Sequence, residues 1–424
     1  MNRQACLDWT HSESFKTITT SLYGVRNSLH QSERYEHLIQ TFTQHFPDAH
    51  DLNMFSASGR IEVGGNHTDH QLGQVLAAAI HLDTVAVVQK RDDMIIQVIA
   101  KGYEIQAVNL TNLEIQKDEY YTSMGLIRGL AFYFKELTHS LGGFNAYIES
   151  DVFSGSGLSS SAAFEVLIAQ ILNHLYGHQT LDASTLAIIS QKAENTYFNK
   201  PCGLMDQMAI AQGGFCAIDF YHKDTPVVTP IKSKNLLNEY EVCLVQTGGS
   251  HADLSFAYAQ ITEDMRLVSE AFKVTHLSRV NPHEFETKLS TLNQTLPTRA
   301  LLRAHHYFEE IKRVDRLKEA IQTENTPLFL ETIIASGRSS YMYLQNIMHP
   351  TSEAQPLALA LAMAERLLSK DGAWRVHGGG FGGTILLFVP KPSLDSVKAE
   401  FESVYGPNSF ITVHIRPLGV TCLI

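Results

Sequence analysis

The sequence predicts an α+β protein of two lobes, and three observations carry that expectation. Its 424 residues exceed what one compact core usually holds. Strand-like and helix-like stretches alternate in mixed order, not as a regular βαβ series. Near residues 235–239 a strand-like run opens a second, mainly helical half, which sets the expected lobes at 1–236 and 237–424.

Before Phe55 the chain reads as a helical lead-in. From residue 33 to 42 apolar residues recur at helical spacing, and Ser32 stands where an N-cap would. Between residues 79 and 98 β-branched residues are dense, and Lys90-Arg91-Asp92-Asp93 interrupts them as a hairpin turn would. Residues 124–137 and 162–176 predict long helices. Residues 144–149 alternate as a half-buried strand just before a Gly/Ser run. After the strand-like stretch 240–246 the chain reads as mostly helical to Lys370. It closes with a strand at 384–389, a helix near 394–405 and a strand at 410–415. There is no repeat, low-complexity tract or long linker.

Composition narrows the classes. A formal net charge of −11 argues against nucleic acid as a partner, since phosphate backbones are bound through basic faces. Anionic ligands remain open to such a chain through backbone amides and a divalent cation. The five cysteines (Cys6, Cys202, Cys216, Cys243, Cys422) lack the paired spacing of a disulfide framework or a structural zinc. The first residues carry no apolar signal stretch. The most apolar run, 75–88, is broken by His81 and Asp83 and is too short for a bilayer. A soluble, cytoplasmic protein is expected, with nothing that requires more than a monomer.

Three segments carry chemistry. Ser154-Gly155-Ser156-Gly157-Leu158-Ser159-Ser160-Ser161-Ala162 lies between an expected strand and an expected helix. Glycines let the backbone approach a ligand, and amides at a helix N-terminus suit phosphate oxygens. On composition alone, a serine-capped connector explains the run as well. The second segment, Gly59-Arg60-Ile61-Glu62-Val63-Gly64-Gly65-Asn66-His67-Thr68-Asp69-His70, packs groups that suit a polyhydroxylated ligand. Its bland reading is a polar turn. The third, His377-Gly378-Gly379-Gly380-Phe381-Gly382-Gly383, contains G-x-G-x-x-G, but a strand-like run follows it where a dinucleotide site needs a helix.

Taken in order, these segments resemble the galactokinases of the GHMP kinase superfamily. The first ends in that family's G-L-S-S-S-A, the second follows G-R…G-E-H-T-D-Y, and the third is G-G-G-F-G-G. The resemblance implies an N-terminal lobe like ribosomal protein S5 domain 2, a C-terminal GHMP α+β lobe, and a cleft between them. It implies transfer of phosphate from ATP, with Mg2+, to galactose or a close analogue. The alternatives are a GHMP kinase for an amino or deoxy sugar, and an inactive sugar sensor.

Residue by residue, the resemblance makes Asp206, in Cys202-Gly203-Leu204-Met205-Asp206-Gln207, the catalytic carboxylate, with Arg60 steadying it. Gly155, Ser156, Gly157, Leu158, Ser159, Ser160 and Ser161 would hold ATP, and Ser161 with Glu194 would ligate magnesium. Asn66, His67, Asp69, Gly203 and Tyr258 fall at sugar-binding positions. Departures cluster in the second and third segments. Asn66 replaces a glutamate, His70 a tyrosine, Ser58 a proline and His377 a threonine, while Phe153 replaces a proline at the first. Sequence alone therefore expects Asn66 to alter sugar preference, and Asn66→Glu to improve use of galactose.

Overall fold

The computed structural model describes residues 1–152, 157–222, 225–248 and 254–424. Two sheets organise the chain. At the centre of the larger one, Leu52–Gly64 and Gln74–Lys90 pair antiparallel along their length. Phe144–Ser150 joins antiparallel to the second of these, Ile95–Ala100 lies parallel beyond it, and Tyr103–Asn109 forms that edge. Phe215–Asp219 pairs with the start of Gln74–Lys90 and carries Val227–Ile231. The smaller sheet is antiparallel, in the order Phe410–Val413, Tyr240–Gln246, Thr384–Pro390, Ala373–His377.

Residues 90–93 do not close a hairpin, because Phe144–Ser150 lies between the two strands they connect. Nor does that strand alternate in burial, since it is buried from Phe144 to Glu149. One face, with Phe144, Ala146 and Ile148, enters the main core, while Tyr147 on the other meets the N-terminal helices. A strand covered on both faces must pair its backbone along both edges, so it draws one neighbour from each run.

The helices Ser123–Thr138, Ser160–Leu175, Ala183–Thr196 and Met205–Gln212 build the main core against the larger sheet. On its other face, Glu13–Ser28 and Gln31–His45 bury Tyr23, Leu38 and Phe42 against Leu52, Val85 and Tyr147. Ser32 is not the cap. Gln31–His45 starts two residues earlier than that cap implies, with His30 at the N-cap position and no side-chain cap, and the Ser32 hydroxyl donates to the Thr10 carbonyl instead. Thr298–Gln322 and Thr326–Ser339 link the two sheets, touching Gln74–Lys90 and Ala373–His377. The chain changes sheets between Val227–Ile231 and Tyr240–Gln246, but its end returns. Thr421–Cys422 pairs with Phe55 and Ser56, and Ile415 bridges to Ile80. Among the described residues, no helix is long and apolar enough to cross a membrane.

Candidate active site

Arg60 and Asp206, 146 positions apart, form the centre. Arg60 projects from Leu52–Gly64 just after a register shift at Ser58/Gly59, which re-aims the strand. Asp206 sits in the first turn of Met205–Gln212. The guanidinium grips the carboxylate with two bonds, Nε to Oδ1 and Nη2 to Oδ2, each 2.8 Å. Ser159 donates its hydroxyl to the same Oδ2, and Arg60 Nη1 donates to the Gly157 carbonyl. Burial works against charge on Asp206, but Arg60 and Ser159 outweigh it and hold the carboxyl below its ordinary range. The group stays anionic at neutral pH.

The Gly/Ser run leads into Ser160–Leu175, whose first amides have no intrahelical acceptor. Gly157 and Ser159 both take positive φ, +75° and +64°. Gly155 and Ser156 lie outside the described residues. Leu158 is fully buried in the core, and its carbonyl accepts from the Arg60 amide. Ser160 and Ser161 open the helix with half-buried side chains.

Next to this centre lies a nest of oxygens. Glu194 is buried, with Oε2 accepting from Gln207 Nε2 at 2.9 Å and Oε1 paired with Lys200 at 3.1 Å. Gln207 Nε2 also donates to Glu165 Oε2 at 3.0 Å. Burial, and then the Glu194 charge, push Glu165 up to about 8. Among the described residues, Glu165 Oε1 and Gln207 Oε1 are buried without partners. Such a set of hard, partly unsatisfied oxygens fits a small divalent cation, although no group of three or more His, Cys, Asp or Glu side chains is placed to hold a metal among the described residues.

The second and third segments meet face to face. His67, at φ +57°, donates Nε2–H to the Gly379 carbonyl at 2.9 Å, and its ring stacks on Tyr258 at 6.3 Å. The Tyr258 hydroxyl donates to Gly380 at 3.0 Å. Asp69 approaches Gly203 so closely that a Cβ there would stand 2.8 Å from Oδ2. Asp69 and Gly203 line a cleft of about 670 Å³ with His70, Leu204 and His276. Asn66 is placed differently. It is fully buried, with Nδ2 donating to Glu62 and Gly378 and Oδ1 accepting from Asn346 at 2.8 Å. Its amide is thus saturated by protein groups, while His67, Asp69, Gly203 and Tyr258 surround open space or the glycine loop.

Sequence reasoning missed the groups behind these segments. Arg375, fully buried, donates to Glu62 at 2.7 Å and to the Val63 carbonyl at 2.6 Å. His306 holds the Asn66 carbonyl at 2.9 Å, and Glu310 accepts from the Gly65 amide at 3.0 Å. His306 and Glu310 lie in a helix with no motif around them, and Arg375 stands in the strand that leads into the third segment. Only their being charged or polar on otherwise apolar faces could have marked them.

Two family models match the chain: the galactokinase galactose-binding signature over residues 40–90 and the GHMP kinases N terminal domain over residues 125–214. A galactokinase of Glaesserella parasuis is 29% identical over 369 residues, covering 85% of this chain and 91% of that protein. One from Clostridium tetani is 25% identical, covering 90% and 94%. Among solved structures, Lactococcus lactis galactokinase complexed with galactose superposes with a TM-score of 0.76 at 22% identity, covering 90% of this chain and 98% of that one. Methanococcus jannaschii mevalonate kinase follows at 0.61 and 13%, covering 85% and 98%. These likenesses fix the two-lobed α+β fold.

Proposed function

We propose, starting from the match to the GHMP kinases N terminal domain and the likeness to curated galactokinases, that this protein is a GHMP kinase that phosphorylates galactose at its anomeric hydroxyl with ATP. The observation that carries the reading is the two-bond pairing of Arg60 with Asp206 beside the start of Ser160–Leu175. The sugar oxygen forms a bond to the γ-phosphorus while the bond from that phosphorus to the β–γ bridging oxygen breaks, ADP leaves, and the hydroxyl's proton passes along its hydrogen bond to Asp206 once the new bond is largely formed. Asp206 accepts the attacking hydroxyl's hydrogen bond and aims its lone pair. Held as an anion below the ordinary carboxylate range, it is a weak base and acts chiefly by orientation and charge. Arg60, reaching both Asp206 and Gly157, balances negative charge gathering on the phosphoryl oxygens. Amides at the start of Ser160–Leu175 suit the nucleotide phosphates, with Gly155 and Ser156 completing that run.

Glu194 and Ser161 would hold a magnesium ion, aided by the unpartnered oxygens of Glu165 and Gln207. Bound there, the ion would neutralise phosphate charge. His67, Asp69, Gly203 and Tyr258 form the sugar side. Because the Asn66 amide is already saturated, that end of the sugar lacks the carboxylate expected of a galactokinase, which supports an amino or deoxy sugar as the second reading. An inactive sensor is disfavoured by the intact ion pair.

The deciding experiment offers MgATP and a panel of free sugars, including galactose and its 2-amino, 6-deoxy and epimeric analogues. ADP release is followed, and NMR assigns the phosphorylated carbon. Galactose 1-phosphate as the main product is expected. ADP release that no sugar stimulates would remove the reading.

A further inference from the structure

We propose that His377 is a donor to the phosphoryl group in transfer, through its Nδ1–H. This rests on the sugar-kinase reading above. His377 ends the strand Ala373–His377, where it pairs with Thr384 across the glycine loop. The residue is only 3% exposed. Nε2 lies 3.1 Å from the Glu62 amide and accepts its N–H, so the neutral ring must carry its proton on Nδ1. That nitrogen is buried and, among the described residues, has no hydrogen-bond partner. Leaving a buried N–H unpaired opposes folding, so such a group calls for an acceptor that a ligand would supply.

The surroundings say which acceptor. A Cβ on Gly157 would stand 3.4 Å from Nδ1, so the missing side chain leaves room for about a methyl group between the ring and the Gly157 backbone. The Gly157 carbonyl is held by Arg60, which grips Asp206. On the sugar-kinase reading, the N–H therefore lies beside Gly157, in the run assigned to the nucleotide phosphates and at the residue that Arg60 ties to Asp206. Burial, then the charges of Arg60 and Arg375, push the ring's pKa well below its ordinary value, with Asp206 opposing them weakly. The ring consequently stays neutral and does not repel Arg60. A fixed neutral donor in a water-poor site gains strength as charge collects on the transferring group, so it favours the transition state over bound ATP.

The test pairs two variants with a measurement on the unmodified protein. His377→Leu removes donor and acceptor together. His377→Gln keeps an oxygen for the Glu62 amide and an N–H2 for the phosphoryl. In the wild-type protein's preferred sugar, His377→Leu is expected to lower kcat about a hundredfold with both KM values within about threefold. His377→Gln should stay within about tenfold of wild type. Unchanged kcat in His377→Leu, or equal losses in both variants, would make the ring structural and overturn the proposal. Should His377→Leu fail to fold, nitrogen-15 NMR of histidine-labelled wild type decides: the His377 Nδ1–H resonance is expected to move when a magnesium-bound, non-hydrolysable ATP analogue is added, and an unmoved resonance refutes the idea. If wild type phosphorylates no sugar, the function reading fails instead, and the NMR shift still judges His377.

Discussion

At Asn66 both ends of the amide are committed inside the fold, to Glu62 and Gly378 through Nδ2 and to Asn346 through Oδ1. Introducing a carboxylate there would remove the donor to Gly378 and set a second acid against Glu62. Glu62 is already pushed up to about 7, because burial outweighs the help of Arg375, Arg60 and Asn66. Asn66→Glu is therefore expected to cost about 3 kcal/mol or more of stability and to lower kcat/KM for galactose. That reverses the expectation from sequence. A variant with a wild-type urea midpoint and improved galactose turnover would contradict it. The sequence marked the substitution but not its partners: Gly378 lies in the third segment, 312 positions away, and Asn346 lies outside all three, 280 away, with nothing local to pair either with Asn66. Asp206 was more legible, because its own flanking residues carry the resemblance. Asp206→Asn keeps shape and one acceptor but loses the charge that pairs with Arg60. It should fold, by circular dichroism and urea unfolding, and lose about a hundredfold or more in kcat. Wild-type turnover in the folded variant would remove Asp206 from the reaction.

Elements with strong periodicity were legible to within a residue or two, as with Ser123–Thr138, Ser160–Leu175 and Leu394–Tyr405. Their pairing was not. Residues 90–93 look like a hairpin turn because local sequence cannot show that Phe144–Ser150, fifty residues on, will insert between the flanking strands. Helix contacts hid titrations in the same way. His306 on Thr298–Gln322 donates Nε2–H to the Asn66 carbonyl and accepts from Ser339, fully buried. Burial lowers its pKa to about 4. Glu310 and the Asn66 carbonyl oppose that shift, and the Arg313 and His67 charges add to it. A folded pKa below the unfolded one means that the unfolded chain takes up the proton first. The His306 contribution is then complete above about pH 6.5 and lost as pH falls toward about 4. His306→Gln keeps a donor and an acceptor without titrating. Between pH 7.5 and 5, wild type should lose about 2 kcal/mol that His306→Gln does not. Urea unfolding of both proteins at both pH values measures the difference, and parallel pH dependence would refute it.

At the scale of the whole molecule, the two chain ends are fastened to one buried carboxylate. Asp83 was legible only as a break in the apolar run 75–88, because its partners lie 49 residues before it and 333 after it. In the structure it is fully buried on Gln74–Lys90. It accepts from Arg34 at 2.8 Å on Gln31–His45, from Tyr23 at 2.7 Å on Glu13–Ser28, from Ser56, and from Arg416 at 3.3 Å in the returning C-terminal segment. Burial favours its neutral form, yet Arg34 and Arg416 overcome this and lower its pKa. A depressed carboxyl stabilises the fold above its unfolded pKa of about 3.9 and loses that contribution as pH falls below it. Asp83→Ala would strand the fully buried Arg416 and remove the shared anchor, at a cost of about 3–5 kcal/mol. Asp83→Asn, which keeps an acceptor, should cost less. The loss should also have a place. In Asp83→Ala, hydrogen exchange is expected to speed up in residues 13–45 and 415–424 together, because Arg34 and Arg416 face the same carboxylate. Ser160–Leu175 and Met205–Gln212, which pack on the opposite face of the sheet, should keep their protection. Faster exchange at one end only would show that the two ends are held independently and that Asp83 is not their common tie.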